Sequence, residues 1–358
     1  MKKKKLKKSV LVVLGVILVI GASAFILFKT GMFDKFKINN GGSIFHPVVK
    51  KLQIIDEKSK SRVVAVMINN HHEAWPHAGL QDSFLNYEII AEGGISRIMA
   101  LYKDKDPKKI GSVRSARHYF LDYVMESDAT YVHFGWSPQA QGDIKKFGID
   151  NINGIFDSKG FWRDETLDRD YEHTAFASME KLKSVISSKG YRTTSDKKNL
   201  LNYTTDTVDL SKREDAIKAD TVKVNYSTYQ SSEYTYDKTN SVYLRSMCGK
   251  AHTDIDTNKQ YTTKNIIAYD VKNYSIDSYG RQTLENIGSG NGYYITNGYA
   301  VPITWEKTSR EAQTVYKYQS DQKEIDISDG NTWIQIYPKG KVIDIEASVE
   351  QTPQEEAK

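Results

Sequence analysis

The spacing of apolar residues along the chain divides it into stretches with different predicted structure. Residues 10–28 carry no charge and one hydroxyl, Ser23. As a helix they would span about 28 Å, close to the roughly 30 Å hydrocarbon core of a bilayer. The lysine-rich residues before this segment predict a single-pass anchor with its N-terminus in the cytoplasm and everything after it extracytoplasmic. The rival reading is a signal peptide cleaved after Ala22-Ser23-Ala24; the apolar run continues past that point through Phe28, which favours a retained anchor. Residues 29–60, with Asn39-Asn40-Gly41-Gly42-Ser43, read as a stalk.

From 61 to 200 the pattern alternates between strand and helix. The run 63–68 suits a buried strand, and 87–92 with 95–102 reads as a hairpin around Gly93-Gly94. Residues 112–127 have near-helical spacing with Ser112 as N-cap, 130–134 returns to strand, and 178–188 is a helix closed by Gly190. From 201 to 345 the runs are short, turn-bounded and rich in tyrosine: 221–226, 241–245, 265–271, 292–296 and 332–337. The predicted fold class is α+β: an N-terminal transmembrane helix, a mixed α/β first domain and a mostly antiparallel β second domain. Residues 1–9 form a cytoplasmic basic segment, and 346–358 a polar, disordered tail.

Composition changes this picture in two ways. The net charge of +5 comes from six lysines among the first eight residues; without them 44 basic side chains face 45 acidic ones. No basic field remains to attract a polyanion, so no nucleic-acid partner is expected. Cys248 is the only cysteine, which excludes an intramolecular disulfide.

Candidate chemistry is densest between 69 and 173, where six of the eight histidines lie. Ile110-Gly111-Ser112-Val113-Arg114-Ser115-Ala116-Arg117 reads as a glycine turn entering a helix. Arg114 and Arg117 would then share a face above free backbone N–H groups, a site for carboxylate or phosphate. The structural alternative is that these arginines pair with Glu88, Glu92 or Asp122 and tie layers together. Glu92 and Arg97 flank the Gly93-Gly94 turn, so Arg97, Arg114, Ser115 and Arg117 are the candidate ligand-binding residues. Glu92, His133 and His173 are the candidate acid–base residues, with core hydrogen bonding as the alternative for each histidine.

His71-His72-Glu73-Ala74-Trp75-Pro76-His77 lacks the helix that a zincin pair needs, because Pro76 interrupts it, so no metal is expected there. Cys248-Gly249-Lys250-Ala251-His252-Thr253-Asp254 reads as a turn with structural His252 and Asp254. Gly288-Ser289-Gly290-Asn291-Gly292 reads as a loop without P-loop character. No cofactor is expected.

Several of these segments together resemble the YerB-like family of Gram-positive envelope proteins. The resemblance rests on Val64-Ala65-Val66-Met67-Ile68-Asn69-Asn70, Glu92-Gly93-Gly94-Ile95-Ser96-Arg97, Gly111 to Arg117, and His133-Phe134-Gly135. Distally it rests on residues 249–254 and 287–294, Trp305-Glu306-Lys307 and residues 330–335. It implies two domains of unknown function and an envelope location; its members are described as lipoproteins. This chain has no cysteine near its apolar segment, so it looks membrane-spanning instead of lipidated. The expected function is an extracytoplasmic protein that binds an anionic cell-wall ligand, peptidoglycan or a wall polymer, through its arginines. The alternatives are a wall hydrolase or transferase using Glu92 and His133, and a scaffold for protein partners.

Overall fold

The computed structural model describes residues 50–348, which from Leu52 onward belong to one compact unit. The predicted anchor at 10–28, the basic segment before it, the stalk up to 49 and the tail from 349 lie outside the described residues. Among the described residues no helix is long and apolar enough to cross a membrane. The last part of the predicted stalk is packed on the body: Ile55 is buried, and the backbone N–H groups of Gln53 and Ile54 donate to the Asp329 carboxylate.

The architecture grows from a few wholly apolar runs. Val64–Ile68 (β1), Leu85–Ile90 (β2), Ser96–Tyr102 (β3), Thr130–His133 (β4) and Asn151–Asn153 (β5) form one flank of a mixed sheet of eleven strands. β1 to β4 are buried on both faces, as strands with apolar neighbours above and below must be. In the second half come Thr221–Asn225 (β6), Ser231–Asp237 (β7), Val242–Met247 (β8), Asn265–Val271 (β9), Gly288–Thr296 (β10), Tyr299–Lys307 (β11), Thr332–Pro338 (β12) and Ile343–Glu346 (β13). The large sheet runs Ile217–Lys218, β11, β10, β9, β12, β2, β3, β1, β4, β5. A smaller sheet, Lys250–Ala251, β8, β7, β6, β13, packs on one of its faces.

The sequence textures of 61–200 and 201–345 therefore meet in a single sheet. β12 pairs in parallel with β9 on one side and with β2 on the other. Alternation along β2 sends Tyr87 and Glu88 to opposite faces. Tyr87 stacks on Tyr123 of a short helix, Leu121–Glu126 (α1), and donates to Glu126 at 2.6 Å. Glu88 accepts from Arg245 of β8 at 2.8 Å, with both side chains fully buried. Among the described residues the other α-helices, Pro138–Lys146 (α2) and Met179–Ser188 (α3), start at Ser137 and Ser178, whose hydroxyls accept from the Ala140 and Lys181 N–H groups.

Two expectations need correction. The helix predicted over 112–127 exists only at its end, in a turn at His118–Phe120 followed by α1. Residues 112–116 are extended because they enter the hydrogen-bond ladder: Asn69 N–H donates to Ser112 O, Arg114 N–H to Met67 O and Phe134 N–H to Arg114 O. The glycine run 288–292 is not a loop; it is the first half of β10, paired with β11. Its glycines make room, since a Cβ on Gly290 would meet the Trp305 indole at 2.7 Å and one on Gly292 the Ala268 carbonyl at 2.5 Å.

Candidate functional site

β1, β2, β4 and β5 point the same way: β1 is parallel to β4, β4 to β5, and both β1 and β2 are antiparallel to β3. Their carboxyl ends therefore open on one edge of the sheet. The loops that follow them begin at Asn69, Ala91, Phe134 and Gly154. Beyond residue 66 of β1 and 132 of β4 the register of the pair ends, and the 112–116 segment wedges between them. Ala116 N–H donates to Gly135 O, completing the wedge. Ligands in open α/β sheets usually bind outside the carboxyl ends of parallel strands where neighbours diverge; in this protein the 112–116 segment fills that divergence and carries its own side chains to the strand ends.

Here the structure brings together Glu92, Arg97, Ser115 and Arg117. Arg117 grips Glu92 with a fork: Nε pairs with Oε1, and Nη2 donates to Oε2 at 2.9 Å. Arg97 reaches the same oxygen at 3.5 Å and donates to Ser115 O at 2.7 Å. The Ser115 hydroxyl donates to Phe134 O. Burial opposes ionisation of Glu92, but the Arg117 hydrogen bonds and the Arg97 charge outweigh it and hold the carboxyl below its ordinary range. Desolvation, reinforced by the neighbouring Arg117, pushes Arg97 down to about 10, where it is still charged at neutral pH. Two guanidinium groups thus face one carboxylate, leaving a surplus positive charge at a largely buried position. Exposed Ile155 and Phe156 follow β5, and Phe156 packs near Trp136 at 5.8 Å.

Arg114 does not share this cluster. In an extended segment residues three apart face opposite ways, and Arg114 pairs instead with Glu172 at 2.9 Å. The helix-face pairing of Arg114 with Arg117 expected from the sequence is therefore replaced by two separate arginine–carboxylate pairs. The helical turn starts only at His118, with Arg117 as the residue before it and Arg114 outside it.

The acid–base candidates are also apart. His133 is fully buried, with Nδ1 2.8 Å from Gly135 O and Nε2 3.2 Å from Asn151 Oδ1. Burial lowers its pKa to about 4, so it is neutral, and neither ring nitrogen is directed at Glu92. His173 accepts from Asn69 Nδ2 at 2.7 Å through Nδ1 and faces Glu73 through Nε2 at 3.2 Å. Cys248 is exposed at a turn, its thiol directed at Tyr229 O, while His252 points into the core.

The sequence did not disclose the buried polar chain that links Arg245 to Asn69. Arg245 Nε donates to His252 Nδ1 at 2.9 Å, His252 Nε2 meets His77 Nδ1 at 2.6 Å, and His77 Nε2 meets Asn69 O at 2.6 Å. One tautomer satisfies every link: each histidine accepts at Nδ1 and donates from Nε2. Burial holds His77 at about 3 and His252 well below its ordinary value, which keeps both neutral as this arrangement requires. The available signal was Arg245 itself, in phase with buried Tyr243 and Met247 along β8.

The fold and these contacts define a sheet-centred protein with an arginine–carboxylate cluster at its parallel strand ends. Comparison with known proteins places it more narrowly. Residues 52–192 match the N-terminal domain, and 222–334 the C-terminal domain, of a protein of unknown function, DUF3048. The chain is 32% identical over 284 residues to "Putative lipoprotein YerB" of Bacillus subtilis (strain 168), covering 78% of this chain and 82% of the relative. It is also similar to the crystal structure of YerB protein from Bacillus subtilis, with a TM-score of 0.71 and 30% identity over 83% of this chain and 100% of that one. The chain belongs to this YerB-like family of two DUF3048 domains.

Proposed function

We propose that this protein is held at the cell envelope by residues 10–28 as a single-pass anchor, with its two DUF3048 regions outside the cytoplasm. There it binds an anionic ligand of the wall, a stem-peptide carboxylate or a polymer phosphate. The lysine-flanked apolar segment and the lipoprotein description of the Bacillus relative support the location. The observation that carries the binding reading is the charge imbalance at the strand ends: Arg97 and Arg117 against Glu92 alone. An incoming anion would take up the guanidinium N–H groups that Glu92 leaves free, while Glu92 fixes the Arg117 plane. Arg114, outside this cluster and paired with Glu172, adds a third, partly exposed cation nearby.

The test is co-sedimentation of the full chain, purified in detergent, with purified cell walls, while the supernatant is analysed for released fragments by mass spectrometry. Arg117→Lys keeps the charge but loses the fork, and should weaken sedimentation about tenfold. Arg114→Ala should weaken it less, and added salt should weaken it in every variant. Wild-type sedimentation by Arg117→Lys and Arg114→Ala together would defeat the reading, and fragments that disappear with Glu92→Gln would replace it by catalysis.

A further inference from the structure

Immediately after β1, His72–Ala74 form a single tight turn capped by His71, whose Nδ1 accepts from Glu73 N–H. The turn gathers nitrogen donors around one carboxylate. His71 Nδ1 lies 3.5 Å from Glu73 Oε2, and His72 Nε2 lies 4.0 Å from Oε1. One ligand atom from each of these three residues lies within 4.8 Å of the others.

A fourth donor arrives from a distant segment. His173 places Nε2 3.2 Å from Glu73 Oε2, and its ring lies parallel to that of His71, the centroids 5.1 Å apart. Its side chain is 2% exposed, whereas those of Glu73 and His72 are 49% and 68% exposed. The cluster therefore has a buried floor and an open mouth. Around tetrahedral zinc, with bonds of about 2.0–2.2 Å, neighbouring ligand atoms are about 3.3 Å apart. Measured from the Glu73 carboxylate, His173 and His71 at 3.2 and 3.5 Å from Oε2 already sit near that spacing, and His72 at 4.0 Å from Oε1 has to move closer.

We propose that His71, His72, Glu73 and His173 hold one divalent transition-metal ion of the zinc class. Imidazole and carboxylate donors suit such ions and are too nitrogen-rich for calcium or magnesium. To share the ion, the partly exposed His71 ring turns out of its parallel stack on His173. Metal at His173 Nε2 puts the ring proton on Nδ1, so the Asn69 amide, which in the metal-free arrangement donates its Nδ2 to that nitrogen at 2.7 Å, turns over to present its oxygen, an outer-shell contact of the kind that orients ligating histidines. Pro76 does not oppose this site, because the donors come from a tight turn and a separate segment instead of one long helix. The site shares no residue with the Arg97–Glu92–Arg117 cluster and does not depend on the anion-binding reading, although Glu172 lies between its His173, at 3.6 Å, and Arg114.

The full chain, purified in detergent without an affinity tag and stripped with chelator, is dialysed against Zn²⁺, and bound metal is counted by mass spectrometry. One zinc per chain is expected, with cobalt(II) in its place giving visible bands of a tetrahedral nitrogen–oxygen site. His72→Ala and Glu73→Gln both alter exposed side chains, and each should lower affinity by about tenfold or more. Substoichiometric binding by the wild type at micromolar zinc would overturn the proposal. So would wild-type affinity in the His72→Ala/Glu73→Gln double variant with its circular dichroism unchanged.

Discussion

At the scale of single residues, the decisive feature is how many charged and polar groups are buried with partners. Glu88 accepts from Arg245, Ser96, Ser232 and Asn70. Removing one partner of a fully buried ion pair leaves the other charge unpaired, so Arg245→Ala should cost about 3–5 kcal/mol. Arg245→Met with Glu88→Gln should cost less than Arg245→Ala alone; urea unfolding of the three proteins checks the order. His133 gives a second prediction. Its pKa falls from 6.5 to about 4 on folding, chiefly through burial, with the Gly135 and Asn151 hydrogen bonds and the Asp157 charge opposing. Below pH 6.5 the unfolded chain takes up a proton that the folded chain refuses. The stability due to neutral His133 is therefore complete above pH 6.5 and is lost as pH falls toward 4, about 3 kcal/mol in all. His77, held at about 3, adds loss in the same direction. Replacing His133 by Gln should flatten the fall in unfolding free energy between pH 6.5 and 4; an unchanged slope would show that other groups dominate.

At the scale of elements, periodicity was a good guide where one element decided its own fate. The hairpin around Gly93-Gly94 is β2 and β3, with both glycines at positive φ, and the helix at 178–188 is α3 with Ser178 as its cap. It failed at 112–127, where backbone partners on β1 and β4 outbid a helical spacing of apolar residues, and no local pattern reports such partners. The same blindness explains the site: Glu92, Arg97 and Arg117 were legible as a group because a turn and a short loop bring them together. His173 beside Glu73, and Arg245 beside Glu88, depend on pairings 100 and 157 residues apart. The misread glycine run gives an element-level test. β10 needs Gly292 because the Ala268 carbonyl and Tyr269 of β9 lie where a side chain would be, so Gly292→Val should destabilise the sheet by about 2–3 kcal/mol or more. Gly249→Ala, where no atom lies within 4 Å, should cost only the strain of its positive φ, about 1 kcal/mol. Equal losses in thermal unfolding would contradict the packing argument.

At the scale of the whole molecule, the question is whether the two DUF3048 regions can exist apart. The sheet argues that they cannot. β12 belongs by sequence to the second region, yet five of its residues pair with β2 of the first and seven with β9 of its own. Trp333, Ile334 and Ile336 on it are at most 1% exposed. Without β12, β2 would become a long, flat, apolar edge with a row of unpaired N–H and C=O groups, the kind of edge that associates with other chains. The layers are cross-tied as well: Glu88 of β2 is satisfied by Arg245 of β8, and Glu126 of α1 by Lys307 of β11 at 2.7 Å. Each region thus holds charges that only the other neutralises. Calorimetry on the full chain should therefore show one transition for residues 52–348, with calorimetric and van't Hoff enthalpies in agreement. A chain ending at Asn331, which keeps all of the first region and most of the second, should be insoluble or expanded. Two resolved transitions, or a soluble and folded 52–192 fragment, would mean that the shared strand joins domains already stable by themselves. The strand-end cluster of Glu92, Arg97 and Arg117 would then belong to the first region alone, independent of the small sheet.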